Sequence, residues 1–161
     1  MVGAILAVLL SLTPAAEDVA EVAEMRADRL RQVAEAIDAA TGDEATQAAL
    51  ISAAWSETRL AASAQRGECP AGAGDCDKGR AKGVWQLHPW CKASMQPSDL
   101  VGQAVCARKA LRGPLARCGS WERAFGGYAS GHGCKPWPER ERRRTNYLSK
   151  LRAHKARLRS H

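Results

Sequence analysis

Apolar positions along the chain recur mostly at helical spacing, and polar breaks divide them into separate helices. Val2 to Leu12 is an almost unbroken apolar run. Over residues 17–40, Val19, Val22, Leu30, Val33 and Ile37 fall close to a 3.6-residue period, with Glu, Asp and Arg between them, which predicts an amphipathic helix. Thr41-Gly42-Asp43 interrupts it, and Asp43 is placed to cap the next helix. That helix is predicted from Glu44 to about Thr58, with Ala48, Ile51, Ala54 and Trp55 on its buried face. Residues 65–82, QRGECPAGAGDCDKGRAK, show no period. A loop of this length in a compact domain is expected to carry a function or a covalent staple. A short segment, GVWQLHPWC, follows at 83–91. Ser98 or Asp99 then caps a helix predicted to reach about Leu111 and to end at Gly113-Pro114. Ser120 caps a helix through Tyr128, GHGCKPWPE is an irregular exit, and a basic helix covers 139–158. With no internal repeat and no strand pattern, the fold class expected is all-α: five or six helices with Gly-rich loops between them.

Composition agrees with this pattern. The 161 residues include 31 alanines and only eight aromatics, which favours helix over sheet. No apolar run approaches the roughly 20 residues that span a bilayer, which excludes a multi-pass membrane protein. The net charge of +7 sits at one end. Residues 139–161 hold nine Lys or Arg against two Glu, whereas residues 1–138 hold 15 of each sign. The body is neutral and the tail is basic. The tail is expected either to be a solvated helix with a charged face or to touch an anionic wall polymer or membrane surface. A nucleic-acid partner ranks lowest, because the neutral body shows no signature of a nucleic-acid fold.

The first 16 residues read as a secretory signal peptide, with Ala15 and Ala16 as the small-residue cleavage site and no Lys or Arg ahead of the apolar core. The plainer reading is a buried or membrane-anchoring first helix. Six cysteines (Cys69, Cys76, Cys91, Cys106, Cys118 and Cys134) form no CxxC pair and are joined by no His pair at zinc spacing. Behind an export signal an even count predicts three disulfides and an exported location, periplasmic or extracellular. Of the fifteen possible pairings, chain order suggests Cys69–Cys76, Cys91–Cys106 and Cys118–Cys134. No metal or other cofactor is expected: His88, His132, His154 and His161 show no ligand spacing, and Asp75-x-Asp77 lacks the other ligands of a calcium loop.

Three short segments carry the candidate chemistry: SETRLA at 56–61, AKGVWQL at 81–87 and GGYASG at 126–131. In this order they resemble the catalytic domain of the soluble lytic transglycosylases, within the goose-type lysozyme-like superfamily. The resemblance covers roughly residues 44–134. It implies a lysozyme-like helical domain over 17–138, with 17–40 as a leading helix and 139–161 as a basic appendage. It also implies non-hydrolytic cleavage of the MurNAc–GlcNAc β-1,4 bond of peptidoglycan glycan strands; a monomer is expected, although nothing in the sequence sets the oligomeric state. Glu57 matches the catalytic acid, Gly83 and Gln86 match the turn that lines the sugar cleft, and Tyr128 and Gly131 match the third segment. Thr58 replaces the usual Ser, Val84 and Trp85 replace Leu and Met, Ala129 replaces Asn, and Ser130 replaces Ala. Ala129 puts one substrate hydrogen bond in doubt.

The residue types suit this chemistry. Breaking a glycosidic bond requires a proton for the leaving oxygen while positive charge develops on the sugar ring. A glutamate supplies it when apolar walls favour the neutral form. Trp85 is expected to be that wall, or with Trp90 to stack on a sugar face, although either tryptophan is by default a packing residue. Tyr128 is expected to orient the Glu57 carboxyl. Gln86 and the backbone at Gly83 are expected to bind an N-acetyl group, because an amide both donates and accepts. Thr58 and Ser130 complete the candidate substrate contacts. Ordinary glycosidases add a second carboxylate, for which Asp75, Asp77 and Asp99 are the candidates. The alternatives are a hydrolytic lysozyme using the same acid, with water placed by Asp75 or Asp77, and a peptidoglycan-binding module without catalysis.

Overall fold

The structure is a computed structural model that describes residues 1–72, 74–131 and 133–160. Among the described residues eight segments follow one another: the helices α1 (Val2–Leu10), α2 (Ala23–Ala40), α3 (Glu44–Thr58) and α4 (Ala62–Gln65), the left-handed turn α5 (Cys76–Gly79), and the helices α6 (Leu100–Cys118), α7 (Trp121–Ser130) and α8 (Pro138–Arg159). Among the described residues there is no strand, only an antiparallel bridge between Lys82 and Leu87. The all-α expectation holds. Helix α3 crosses the centre of the molecule, flanked by α8 and α6, and most of its residues are buried. Its start was legible: Asp43 accepts the Thr46 N–H at 3.0 Å. The predicted caps of α6 and α7 also form, with Asp99 accepting from Gly102 N at 2.8 Å and Ser120 from Arg123 N at 3.4 Å.

Three stretches differ from the sequence expectation. The helix predicted from residue 17 begins only at Ala23, and Val19 and Val22 are 74% and 56% exposed. The reason is ionic. Asp18 and Glu21 both pair with Arg29 of α2, and Asp18 also accepts the Ala62 N–H, which pins residues 16–21 as a turn instead of an earlier helical turn. Helix α6 passes Gly113-Pro114 and ends at Cys118, where Gly119 takes the left-handed conformation. Pro114 lacks the N–H that would bond back to the preceding turn. It is buried against α7, where a Cβ on Gly127 would stand 2.9 Å from it, and packing outweighs the lost bond.

The third difference is at the ends of the chain. Helix α1 is part of the core: Ala4, Ile5, Val8 and Leu9 are fully buried, against α2 and α8. Arg26 of α2 donates to the Leu12 carbonyl at 2.8 Å. The basic helix is likewise no appendage. Arg140, Arg144, Tyr147, Leu151 and Lys155 recur at helical spacing and form a buried stripe, with α8 lying along α3.

The six cysteines pair in chain order: Cys69–Cys76, Cys91–Cys106 and Cys118–Cys134. The first staples the long loop, the second ties the 83–91 segment to α6, and the third ties the end of α6 to the exit from α7. Three disulfides indicate an oxidising, exported compartment. No helix among the described residues is long and apolar enough to cross a membrane.

Candidate functional site

Glu57 sits on the last turn of α3, 21% exposed, where two cavities meet. One, of about 270 Å³, is bounded by Asp77, Gln86, His88, Trp90, Tyr128 and Ala129. The other, of about 530 Å³, is bounded by Pro14, Ala16, Ser56, Arg59, Pro70 and Ala71. The two together give Glu57 an approach on either side.

Helix α3 stops just after Glu57 because Arg59 and Leu60 turn left-handed, at φ 53° and 59°. Thr58 secures that end. Its hydroxyl lies 3.1 Å from the Ala54 carbonyl and 3.0 Å from the Val84 carbonyl, and it accepts the Leu60 N–H at 3.2 Å. Thr58 borders the second cavity, but its buried hydroxyl is engaged with backbone; it positions the helix end against the next segment.

That segment is a tight turn closed by paired Lys82–Leu87 backbone bonds of 2.9 and 2.8 Å. Gly83 takes φ +74°, and a Cβ there would collide with the Gln103 side chain, so the turn requires glycine. Gln86 faces the first cavity, with its amide N–H on the Gly83 carbonyl at 3.1 Å. Trp85 departs from expectation. It is fully buried, its indole N–H donates to the Leu50 carbonyl at 3.0 Å, and it borders neither cavity. A side chain in that position is a core residue and has no face for a sugar. Trp90, 59% exposed on the first cavity, is the tryptophan with a free face.

Tyr128 is brought to the first cavity, yet its hydroxyl donates to the Trp85 carbonyl at 2.6 Å and not to Glu57. Burial, and then the negative charge of Glu57, hold the phenol well above its ordinary value of 10.0, so it keeps its proton. Ala129 borders the same cavity. Ser130 does not. It faces a separate cavity of about 450 Å³ with Lys135, Pro136 and Trp137, and its hydroxyl donates to the Gly126 carbonyl at 2.7 Å.

The three candidate second carboxylates separate clearly. Asp99 is spent as the cap of α6, and Asp75 borders neither cavity. Asp77 faces Glu57's cavity, 3.5 Å from His88 Nδ1 and 3.0 Å from Arg80. Its backbone is unusual: Cys76, Asp77, Lys78 and Gly79 are all left-handed, at φ 47°, 51°, 57° and 75°. Each non-glycine residue there costs about 1–2 kcal/mol. The Cys69–Cys76 disulfide and the Gly79 N–H bond to the Asp75 carbonyl at 2.8 Å hold the turn in place.

The residue that sequence reasoning missed is Arg140. Its Nη1 lies 2.7 Å from Glu57 Oε1, and the arginine side chain is only 7% exposed. Its guanidinium rests on Trp137, 4.1 Å from the ring centroid. Two more cations stand nearby: Arg59 and Arg143 flank Trp55 at 3.6 and 4.7 Å, and Arg143 donates to Ser56 Oγ at 3.1 Å. The apolar wall expected for Glu57 is therefore replaced by a guanidinium. The signal was present in the sequence as Arg140, Arg144, Tyr147 and Leu151 at helical spacing, but the surrounding charge hid it.

Among the described residues no three His, Cys, Asp or Glu side chains converge as a metal site would require. His132 and His161 lie outside the described residues. Compared with protein-family models, curated proteins and solved structures, the chain matches none of them.

Proposed function

We propose that this is an exported, lysozyme-like enzyme that cleaves the glycan strands of peptidoglycan, with Glu57 as general acid and base. The observation that carries this reading is the convergence at one cavity of Glu57, Gln86 and Tyr128, which come from three segments far apart in the chain. In the reaction the resemblance implies, Glu57 gives its proton to the leaving oxygen as the C1–O bond of MurNAc breaks. The 6-hydroxyl of the same sugar then attacks C1 and passes its proton to the Glu57 carboxylate. No water and no second carboxylate enter, and the product ends in 1,6-anhydroMurNAc. Gln86 and Trp90 are the groups placed to hold the sugar, and Tyr128 keeps the cavity wall in place through the Trp85 carbonyl.

Asp77 supports a second reading. It is the one candidate carboxylate that shares the cavity with Glu57, where it is placed to hold a water for hydrolysis. Mass spectrometry of products from purified peptidoglycan separates the readings. Anhydro-ended fragments, absent with Glu57→Gln, are expected. Reducing-end MurNAc would assign a lysozyme and direct attention to Asp77. No product from folded wild type would leave a binding module, as Ala129 in place of Asn suggests.

The export proposal rests on the three disulfides. The apolar segment 2–12 is the candidate export signal, and it is also a core helix.

A further inference from the structure

We propose that Arg140 is the positioning residue of Glu57: the C-terminal helix supplies a guanidinium that fixes the carboxyl between the two cavities. This rests on the reading of Glu57 as the general acid and base.

Arg140 is built into the fold for this contact. Its carbonyl accepts the Ser52 hydroxyl of α3 at 2.9 Å, which fixes α8 against the helix that carries Glu57. Trp137 supports the guanidinium from below. Buried Nη1 forms no aligned hydrogen bond, so the Glu57 carboxylate 2.7 Å away is what answers its charge. A buried guanidinium without a countercharge is costly, which makes each partner hold the other in place.

The other charged and titratable groups around Glu57 come from every neighbouring element. Tyr128 is on α7, Asp77 and His88 belong to the stapled loop and its neighbour, Arg59 follows on from α3, and Arg143 lies one turn along α8. Among the described residues, Arg140 is the cation in ion-pair contact with Glu57.

The cation at 2.7 Å holds the carboxyl where the leaving oxygen would lie. Removing it is expected to slow the best rate and to leave substrate affinity near that of wild type. An arginine that only stabilised the fold would lower the Tm and leave the kcat of the folded enzyme where it was.

The test is kcat and KM on soluble glycan fragments for wild type, Arg140→Met and Arg140→Lys, each assayed well below its Tm. In Arg140→Met kcat is expected to fall roughly 10- to 100-fold with KM near that of wild type. Arg140→Lys keeps the charge without the planar fork and is expected to fall between. An unchanged kcat in folded Arg140→Met overturns the proposal. If that variant does not fold, Arg140→Lys carries the test: a lower kcat at wild-type KM is expected, and a wild-type kcat overturns the proposal. Glu57→Gln keeps the two readings apart. Lysis that survives Glu57→Gln removes Glu57 as the acid. Lysis lost in Glu57→Gln, together with an unchanged kcat in Arg140→Met, removes only the role of Arg140.

Discussion

Thr58 shows how one hydroxyl can organise the end of a helix. It meets two carbonyls and one N–H, and it ties α3 to the turn at 82–87 while Glu57 next to it stays open. Thr58→Val keeps the shape and deletes the hydroxyl, leaving the Leu60 N–H and Val84 carbonyl unanswered in a buried place. The expected cost is about 1–3 kcal/mol in chemical denaturation, with lower lytic activity from a displaced Glu57. Caps were legible at this scale, because Asp43, Asp99 and Ser120 act on residues three positions away. Trp85 was not, because its burial depends on Leu50, 35 positions upstream in the chain. A tryptophan in a Gly-rich segment carries no local mark that separates a core residue from a sugar platform.

At the scale of the element, α8 changes most between sequence and structure. Its composition is that of a solvated basic tail, yet among the described residues five of its nine Lys and Arg side chains form ion pairs. Arg140 meets Glu57, Arg144 meets Glu141, and Lys155 and Arg152 meet Glu44. Glu44 is held below its ordinary value of 4.5, first by the hydrogen bond from Lys155 and then by that from Arg152. A carboxyl lowered on folding stabilises the fold above pH 4.5, and the contribution fades as pH falls through the folded value. Glu44→Gln is therefore expected to cost about 1–3 kcal/mol at pH 7, because the amide still accepts a hydrogen bond but leaves buried Lys155 without its countercharge. In urea titrations the variant and wild type are expected to converge as pH falls below 4.5 and through the lowered value of Glu44. Equal stability at pH 7 would show that the α3–α8 contact does not depend on this pair. Arg142, Arg157 and Arg159 stay exposed to solvent.

For the molecule as a whole, both ends of the chain enter the core. Helix α1 closes the α2–α8 side with four fully buried side chains. Burial of Ile5, Val8 and Leu9 contributes roughly 1.5–3 kcal/mol each. Deleting residues 1–16 is expected to lower the stability of the oxidised protein by several kcal/mol, read as a drop of at least ten degrees in Tm. If the truncated chain keeps the wild-type Tm, α1 is dispensable for the fold. The three disulfides close loops with sequence separations of 7, 15 and 16 and tie the loop segments to each other and to α6.

The sequence by itself determined the helical class, the three main caps, the glycine at 83, the even set of cysteines and the segments that hold Glu57, Gln86 and Tyr128. These are local properties: period, turn chemistry and residue type are written within a few positions of one another. Tertiary structure alone decided that Trp85 is core, that Asp77 and not Asp75 or Asp99 faces Glu57, that α1 and α8 are integral, and that Arg140 answers the Glu57 charge. The last two residues are 83 positions apart, and their pairing depends on α8 returning along α3. No local pattern encodes that approach; it follows from the apolar and ionic stripe that α8 buries when the whole chain closes.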